Sequence, residues 1–287
     1  MHIKKQALED STLENRQYDI SFIILTWNSE KYIEKCLQSI DTIKALSTKI
    51  YVIDNGSQDG TLSALERIKG QLIHASLEII RLSINRGTTV SRNMGLKKAC
   101  ENSRYICVLD SDTIVNEAAI MQVAGILASD PTIGIIGPVL KGLDASIQNS
   151  GRAIPTLSLK VLKVLPLKNL RERGAAKEQI PKIQDVTNVG YLMSACWMMQ
   201  ASLVKKIGLL DENIFYAPED VEYCMRAWKH GYRVCYAKNV SIIHAWQRLS
   251  RKKVFSKHNW EHIRGLLYLF HRYHCYFNKP DYVHYKN

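Results

Sequence analysis

Hydrophobic and polar positions along the first 140 residues alternate between two periods. Asp19–Trp27 (DISFIILTW) is a nearly continuous apolar run, the pattern of a strand buried on both faces of a parallel sheet. From about Ser29, the residues Ile33, Leu37 and Ile40 recur at helical spacing. Ile50–Ile53 predicts a second strand that ends in the turn Asp54-Asn55-Gly56-Ser57, and a helix from about Thr61 stops at Gly70. Leu77–Leu82, Tyr105–Leu109 and Ile133–Val139 read as further strands, with helices over Thr88–Cys100 and Asn116–Ala128 between them. This βαβαβαβαβ series predicts an α/β fold with a mostly parallel, doubly wound sheet and right-handed crossovers.

From about Lys141 to Val186 the pattern dissolves into Gly, Ser, Pro and basic residues, which predicts a long loop or subdomain. Order returns at Gly190–Gln200 (GYLMSACWMMQ), followed by a short helix to Gly208 and a turn over Leu209–Pro218. A helix over Glu219–His230 and a strand over Tyr232–His244 follow, and the tail from Gln247 reads as helical. The expected layout is an extension over 1–18, one α/β domain over 19–246 containing the irregular stretch 141–188, and a tail over 247–287.

Charge changes this picture. The 287 residues carry 39 Lys+Arg against 27 Asp+Glu, a formal net charge of +12 that asks for a polyanionic partner. Gln247–Asn287 holds nine Lys/Arg against two acids, and Leu157–Gly174 holds five against one. The remainder is almost neutral, so the basic character belongs to two appendages and not to the sheet. Apolar residues at 46% exclude wholesale disorder. The best apolar run, near Ile133–Leu140, is too short to span a bilayer, and the first seventeen residues lack a signal-peptide h-region. Seven cysteines without a CxxC pair read as reduced thiols, so a cytoplasmic protein is expected.

In an open α/β sheet, ligands bind at the carboxyl ends of the strands, where Asp54 and the pair Asp110/Asp112 fall. Two carboxylates one residue apart at such an edge suit a hard divalent ion, which in turn neutralises a diphosphate. Asp is also common in strand-to-helix turns, so a lone DxD is weak. The turn after the first strand reads TWNSEKY, neither GxGxxG nor GxxxxGK[ST], which disfavours dehydrogenases and P-loop NTPases. Glu219-Asp220 after Pro218 also suits any helix N-terminus, and His244 ending an apolar strand suits a structural histidine.

The blocks SFIILTWNSEKYIEKCLQSI, VIDNGSQDGT, NRGTTVSRNMGLKKA, VLDSDT and GLLDENIFYAPEDVEYCMRAWKHGYRVCYAKNVSIIH occur in this order. Together they resemble the motif series of family 2 glycosyltransferases, in the rhamnosyltransferase-like branch, over roughly Ile20–His244. The resemblance implies a GT-A fold and an inverting, metal-dependent transfer of sugar from a UDP- or dTDP-sugar. The implied acceptor is a glycan or a lipid-diphosphate-linked glycan of cell-surface polysaccharide synthesis. It implies a base and ribose pocket from Thr26, Asn28, Glu30, Asp54 and Asn55, and donor contacts from Asn85, Gly87, Arg92, Asn93, Asp110 and Ser111. Asp110, Asp112 and His244 are the implied ligands of Mn²⁺ or Mg²⁺, and Glu219-Asp220 the implied "ED" motif, with Asp220 as catalytic base. DSD departs from many rhamnosyltransferase-like relatives at its first Asp, which leaves the donor open. The stretch 141–188 is then expected on the acceptor side.

Trp260, Leu266, Leu267, Tyr268, Phe270, Tyr273, Tyr276 and Phe277, mixed with Arg251, Lys252, Lys253, Lys257, Arg264 and Arg272, suit an anionic membrane surface. They suit equally a helix pair packed on the catalytic domain. His258 and His262 lie at i, i+4, a spacing that can hold zinc but more often marks an interfacial face. The expected location is the inner face of the cell membrane. Two other classes fit less well: a nucleotidyltransferase on a related sheet, and a basic nucleic-acid-binding protein. The second is disfavoured because the carboxylates converge where a phosphate backbone would lie, so no nucleic-acid partner is expected.

Overall fold

The computed structural model describes residues 16–164, 185–245 and 257–285, with three isolated positions between 164 and 185. Most of 1–18, part of the basic stretch 157–174 and the start of the tail therefore lie outside the described residues. Strand β1 (Tyr18–Thr26) pairs in parallel with β2 (Thr48–Asp54) on one side and with β4 (Ser103–Asp110) on the other. Beyond β2 lies β3 (Ala75–Arg81), also parallel. The register sets Thr26 beside Asp54 and Leu25 beside Asp110. The acidic strand ends are thus aligned along one edge of the sheet.

Alternation along the strands divides the core in two. Ile20, Phe22 and Ile24 of β1 join Cys107 and Leu109 of β4 against helices α1 (Glu30–Asp41), α2 (Thr61–Lys69) and α4 (Glu117–Ser129). Ile23 with Ile106 and Val108 faces the opposite layer, against α3 (Thr88–Asn102) and α6 (Ala201–Ile207). That layer is completed by α7 (Glu219–Lys229) and α8 (Lys257–Tyr273). The arrangement is a sheet between two helical layers, as the alternating series predicts.

The centre of the sheet differs in one strand. Strand β6 (Ile133–Lys141) does not pair with β4; β11 (Cys196–Gln200) is inserted between them, antiparallel to both. A five-residue apolar run such as CWMMQ carries no period that fixes its direction. On the far side β6 pairs in parallel with β12 (Arg233–His244), whose end meets the two-residue β5 (Thr113–Ile114), with His244 opposite Thr113. The irregular stretch also contains elements. Strands β7 (Ile147–Gln148) and β8 (Gly151–Arg152) are followed by α5 (Leu157–Val164), β9 (Val186–Asn188) and β10 (Tyr191–Leu192). Strand β7 folds back on β6, and β8 pairs with β10.

Of the two readings of the tail, packing on the catalytic domain holds for the inner face of its described part. Leu269, Phe270, Cys275 and Val283 are fully buried or nearly so, each large apolar side chain contributing about 1.5–3 kcal/mol. Tyr273 donates to Glu222 Oε1 at 2.6 Å, which joins α8 to α7. Gly265 lies so close to the Ala217 carbonyl that a Cβ there would sit 2.2 Å from its oxygen. Phe270 and Leu266, read from sequence as a possible lipid face, pack inward instead. The outer face still exposes Trp260, Ile263 and Leu267. The His258 side chain lies outside the described residues.

Candidate active site

Strand β4 delivers Asp110 to the sheet edge, and the chain turns through Ser111 and Asp112 into β5. Pairing of β5 with β12, and an Ala245 N–H donating to Asp112 O at 3.0 Å, carry His244 to the same point. His244 Nε2 lies 3.3 Å from Asp112 Oδ1 and 3.8 Å from Asp110 Oδ2. One ligand atom from each of the three falls within 4.8 Å of the others, and among the described residues this is the one such cluster. Two carboxylates from one turn and an imidazole from a distant strand fit a divalent cation, because without one the two anions repel. Withdrawal from water raises the Asp110 carboxyl; Arg92 opposes the rise and the Asp112 charge adds to it. For His244 burial disfavours the charged ring, but the hydrogen bond to Asp112 and the charges of both aspartates outweigh it and raise its pKa.

Arg92, on the first turns of α3, joins this cluster to the start of α7. Its guanidinium, 3% exposed, bonds Asp110 Oδ1 at 2.8 Å and Glu219 Oε1 at 3.0 Å, while its Nε has no partner. Ser194 Oγ donates to the same Glu219 oxygen at 2.9 Å. Glu219 therefore faces a cation and does not cap the helix. Burial pushes its carboxyl up to about 7, the Asp220 charge adds, and Arg92 opposes. Burial likewise pushes Asp220 up to about 6. Asp220 Oδ1 accepts the neighbouring Val221 N–H, at 2.8 Å. Both acids stand in the first turn of α7, where the helix dipole favours their ionised forms.

These groups line one cleft of about 380 Å³. Arg92, Asp110, Ser111, Asp112, Glu219, Asp220 and His244, all expected from sequence, are in its wall, as are Leu25, Ser29 and Thr88. Trp27, Ser194 and Tyr216 also line it and escaped the sequence reading. For Trp27 the signal was its place between Thr26 and Asn28; for Tyr216 it was the approach to Glu219. Gln148 was missed too: its Oε1 lies 2.7 Å from His244 Nδ1.

The remaining expected residues are outside this wall and knit the surrounding loops. Thr26 and Asp54 are buried and bond one another at 3.2 Å, and Asp54 Oδ2 also accepts the Ser57 N–H. Asn28, at φ 53°, accepts from Gln58 N–H, and Glu30 from Gly60 N–H. Asn55 donates to Asn85 Oδ1 and Gly87 O, and its own oxygen accepts from Arg86 N–H and Ser91 Oγ. Gly87 has φ 85° and a Cβ there would sit 2.3 Å from Phe215 O, so glycine is required by conformation and by space. Asn93, expected at the donor, instead grips the turn before α7. Its amide donates to Leu210 O and accepts from Leu210 N–H, both at 2.9 Å.

The family model described as "Glycosyltransferase like family 2" matches residues 17–264. The chain belongs to this family. As a family 2 glycosyltransferase it is 24% identical to the low-salt glycan biosynthesis hexosyltransferase Agl10 of Haloferax volcanii, over 83% of this chain and 72% of that protein. It is 22% identical to the N-acetylglucosaminyl-diphospho-decaprenol L-rhamnosyltransferase of Mycobacterium tuberculosis, over 77% of this chain and 74% of that protein. Among solved structures it is similar to the mannosyltransferase PcManGT of Pyrobaculum calidifontis, solved with GDP-Man and Mn²⁺. The TM-score is 0.63 at 18% identity, over 93% of this chain and 67% of that one. For GalNAc-T7, solved with UDP, GalNAc and Mn²⁺, the TM-score is 0.66 at 16% identity, over 89% and 48%. These likenesses establish the GT-A fold, and the family establishes a transferase.

Proposed function

We propose that this glycosyltransferase inverts the anomeric centre of a UDP- or dTDP-linked sugar as it passes it to a hydroxyl of a lipid-diphosphate-linked glycan. The observation that carries the reading is the sharing of one cleft by the Asp110–Asp112–His244 cluster and the Asp220 carboxyl. In the proposed step Asp220 takes the proton of the acceptor hydroxyl while that oxygen attacks the anomeric carbon and the bond to the diphosphate breaks. A carboxylate whose pKa is pushed up to about 6 is still ionised at neutral pH and is a stronger base than an exposed one. Glu219, fixed by Arg92 and Ser194, holds the start of α7 so that Asp220 keeps its place. When bound by Asp110, Asp112 and His244, Mn²⁺ or Mg²⁺ supplies positive charge that stabilises the departing nucleoside diphosphate. The acceptor class rests on the relative from M. tuberculosis, whose name specifies a diphospho-decaprenol-linked sugar.

No helix among the described residues is long and apolar enough to cross a membrane. We assign peripheral docking on anionic lipid to the outer face of α8. Trp260 is 68% exposed there, Ile263 51% and Leu267 57%, with Arg264 beside them. Replacing the three apolar residues by Ser should abolish sedimentation with anionic vesicles and spare nucleotide binding; undiminished sedimentation contradicts the docking. For the reaction itself, UDP-, dTDP- and GDP-sugars are screened with Mn²⁺ or Mg²⁺ for thermal stabilisation and nucleoside diphosphate release. At least one UDP- or dTDP-sugar should stabilise the protein in a chelator-sensitive way. Stabilisation by none refutes the reading.

A further inference from the structure

We propose that Gln148 fixes the tautomer of His244 and thereby makes Nε2 its metal-binding nitrogen. The inference rests on the metal-site reading above and adds a positioning residue from outside every motif that led to it. Gln148 is on β7, which the Lys141–Ser146 turn folds back against β6, with Gln148 opposite Leu140. It is 6% exposed, and its amide makes two contacts with the same residue. Its Nε2 lies 2.9 Å from His244 O, and its Oε1 lies 2.7 Å from His244 Nδ1.

Donor and acceptor logic removes the ambiguity such an amide usually carries. The backbone carbonyl of His244 can only accept, so the group facing it must be the NH₂ of Gln148. A flipped amide would set two oxygens against each other. The amide oxygen is then the atom facing Nδ1, and it too can only accept. Nδ1 must carry a proton. In a neutral imidazole the lone pair is consequently on Nε2, the nitrogen directed at Asp112 Oδ1 and Asp110 Oδ2. A lone pair facing two carboxylates is unfavourable unless a cation lies among them.

The same double contact ties the ring to its own backbone carbonyl, which limits rotation of the imidazole away from the aspartates. Ligating histidines commonly rely on such a partner at the second nitrogen, and its loss weakens metal binding about 10–100-fold. Here the partner is a neutral amide, so it orients the ring without adding negative charge to a site that already has two carboxylates.

The test uses the full chain with UDP present and Mn²⁺ as probe, free Mn²⁺ being read by electron paramagnetic resonance. Gln148→Leu keeps the bulk of the side chain and removes both hydrogen bonds; its Mn²⁺ affinity should fall about 10–100-fold. Gln148→Glu keeps an acceptor for Nδ1–H but loses the hydrogen bond to His244 O, so its affinity should fall less than that of Gln148→Leu. Equal loss in both variants, or an unchanged affinity in Gln148→Leu, overturns the proposal. In the metal-free wild type, ¹⁵N-histidine spectra at a pH that neutralises the ring should show Nδ1 protonated and Nε2 bare. A proton on Nε2 overturns it whether or not either variant folds. A wild type that binds no Mn²⁺ at all removes the metal-site reading itself, and this inference with it.

Discussion

Asp220→Asn separates what α7 contributes to chemistry from what it costs the fold. Burial raises the Asp220 carboxyl from 3.8 to about 6, roughly two units, or about 3 kcal/mol at 1.36 kcal/mol per unit. Partial access of water to a side chain that lines a cleft reduces this to about 2 kcal/mol. The sign follows from where the proton is held more tightly. With its folded pKa above the unfolded value, the group favours the folded state below about pH 4, and that contribution is lost as pH rises through about 6. Asparagine has no charge to bury. The variant should therefore match the wild type near pH 4 and exceed it by about 2 kcal/mol at pH 8, a rise in Tm of about 3–6 °C. Scanning fluorimetry at the two pH values reads this directly. Glycosyl transfer should be abolished with nucleotide binding intact, and wild-type kcat/KM should fall on the acid side of about pH 6 as Asp220 takes up a proton. A Tm at pH 8 equal to or below the wild type would refute the claim that this carboxylate is held against its own hydration, and retained turnover would remove it as base.

Three other perturbations test how the cleft is held. Arg92→Met leaves Asp110 and Glu219 without their shared cation and should cost about 3–5 kcal/mol in urea unfolding at pH 8, less at pH 5 where Glu219, its carboxyl pushed up to about 7, is protonated. Asn93→Ala removes both hydrogen bonds to Leu210; about 2 kcal/mol of stability should be lost, with faster proteolysis within Leu209–Pro218. Gly265→Ala drives a methyl into the Ala217 carbonyl, so α8 or the segment leading to Glu219 must shift. A loss of about 1–3 kcal/mol and a lower kcat are expected, and wild-type values for both would show that α8 does not brace the site.

The sheet edge was legible because β1, β2 and β4 are apolar runs that end in polar or acidic residues, and parallel pairing aligns those ends. The direction of β11 was not, since CWMMQ is too short to show a period, and β5 and β7 are each two residues long. These short strands carry much of the site's geometry: β5 brings Asp112 to His244, and β7 brings Gln148. Arg92 and Asn93 are adjacent in one motif, yet one faces the cleft and the other the Leu210 backbone. Neighbours in sequence on a helix point in different directions, which a motif cannot convey. In the tail the sequence showed an amphipathic helix, but which side packs was decided by Phe270 and Leu269 meeting the catalytic layer while Trp260 remained outside.

In the proposed reaction Asp110, Asp112 and His244 hold the divalent ion that receives the nucleoside diphosphate. Crystals grown with UDP and MnCl₂, measured at the manganese edge, test it most directly. An anomalous peak is expected among these three side chains, in contact with the diphosphate oxygens, and no such peak in Asp112→Ala crystals. Well-ordered UDP in the cleft with no anomalous peak there, or with the peak on other residues, would contradict it.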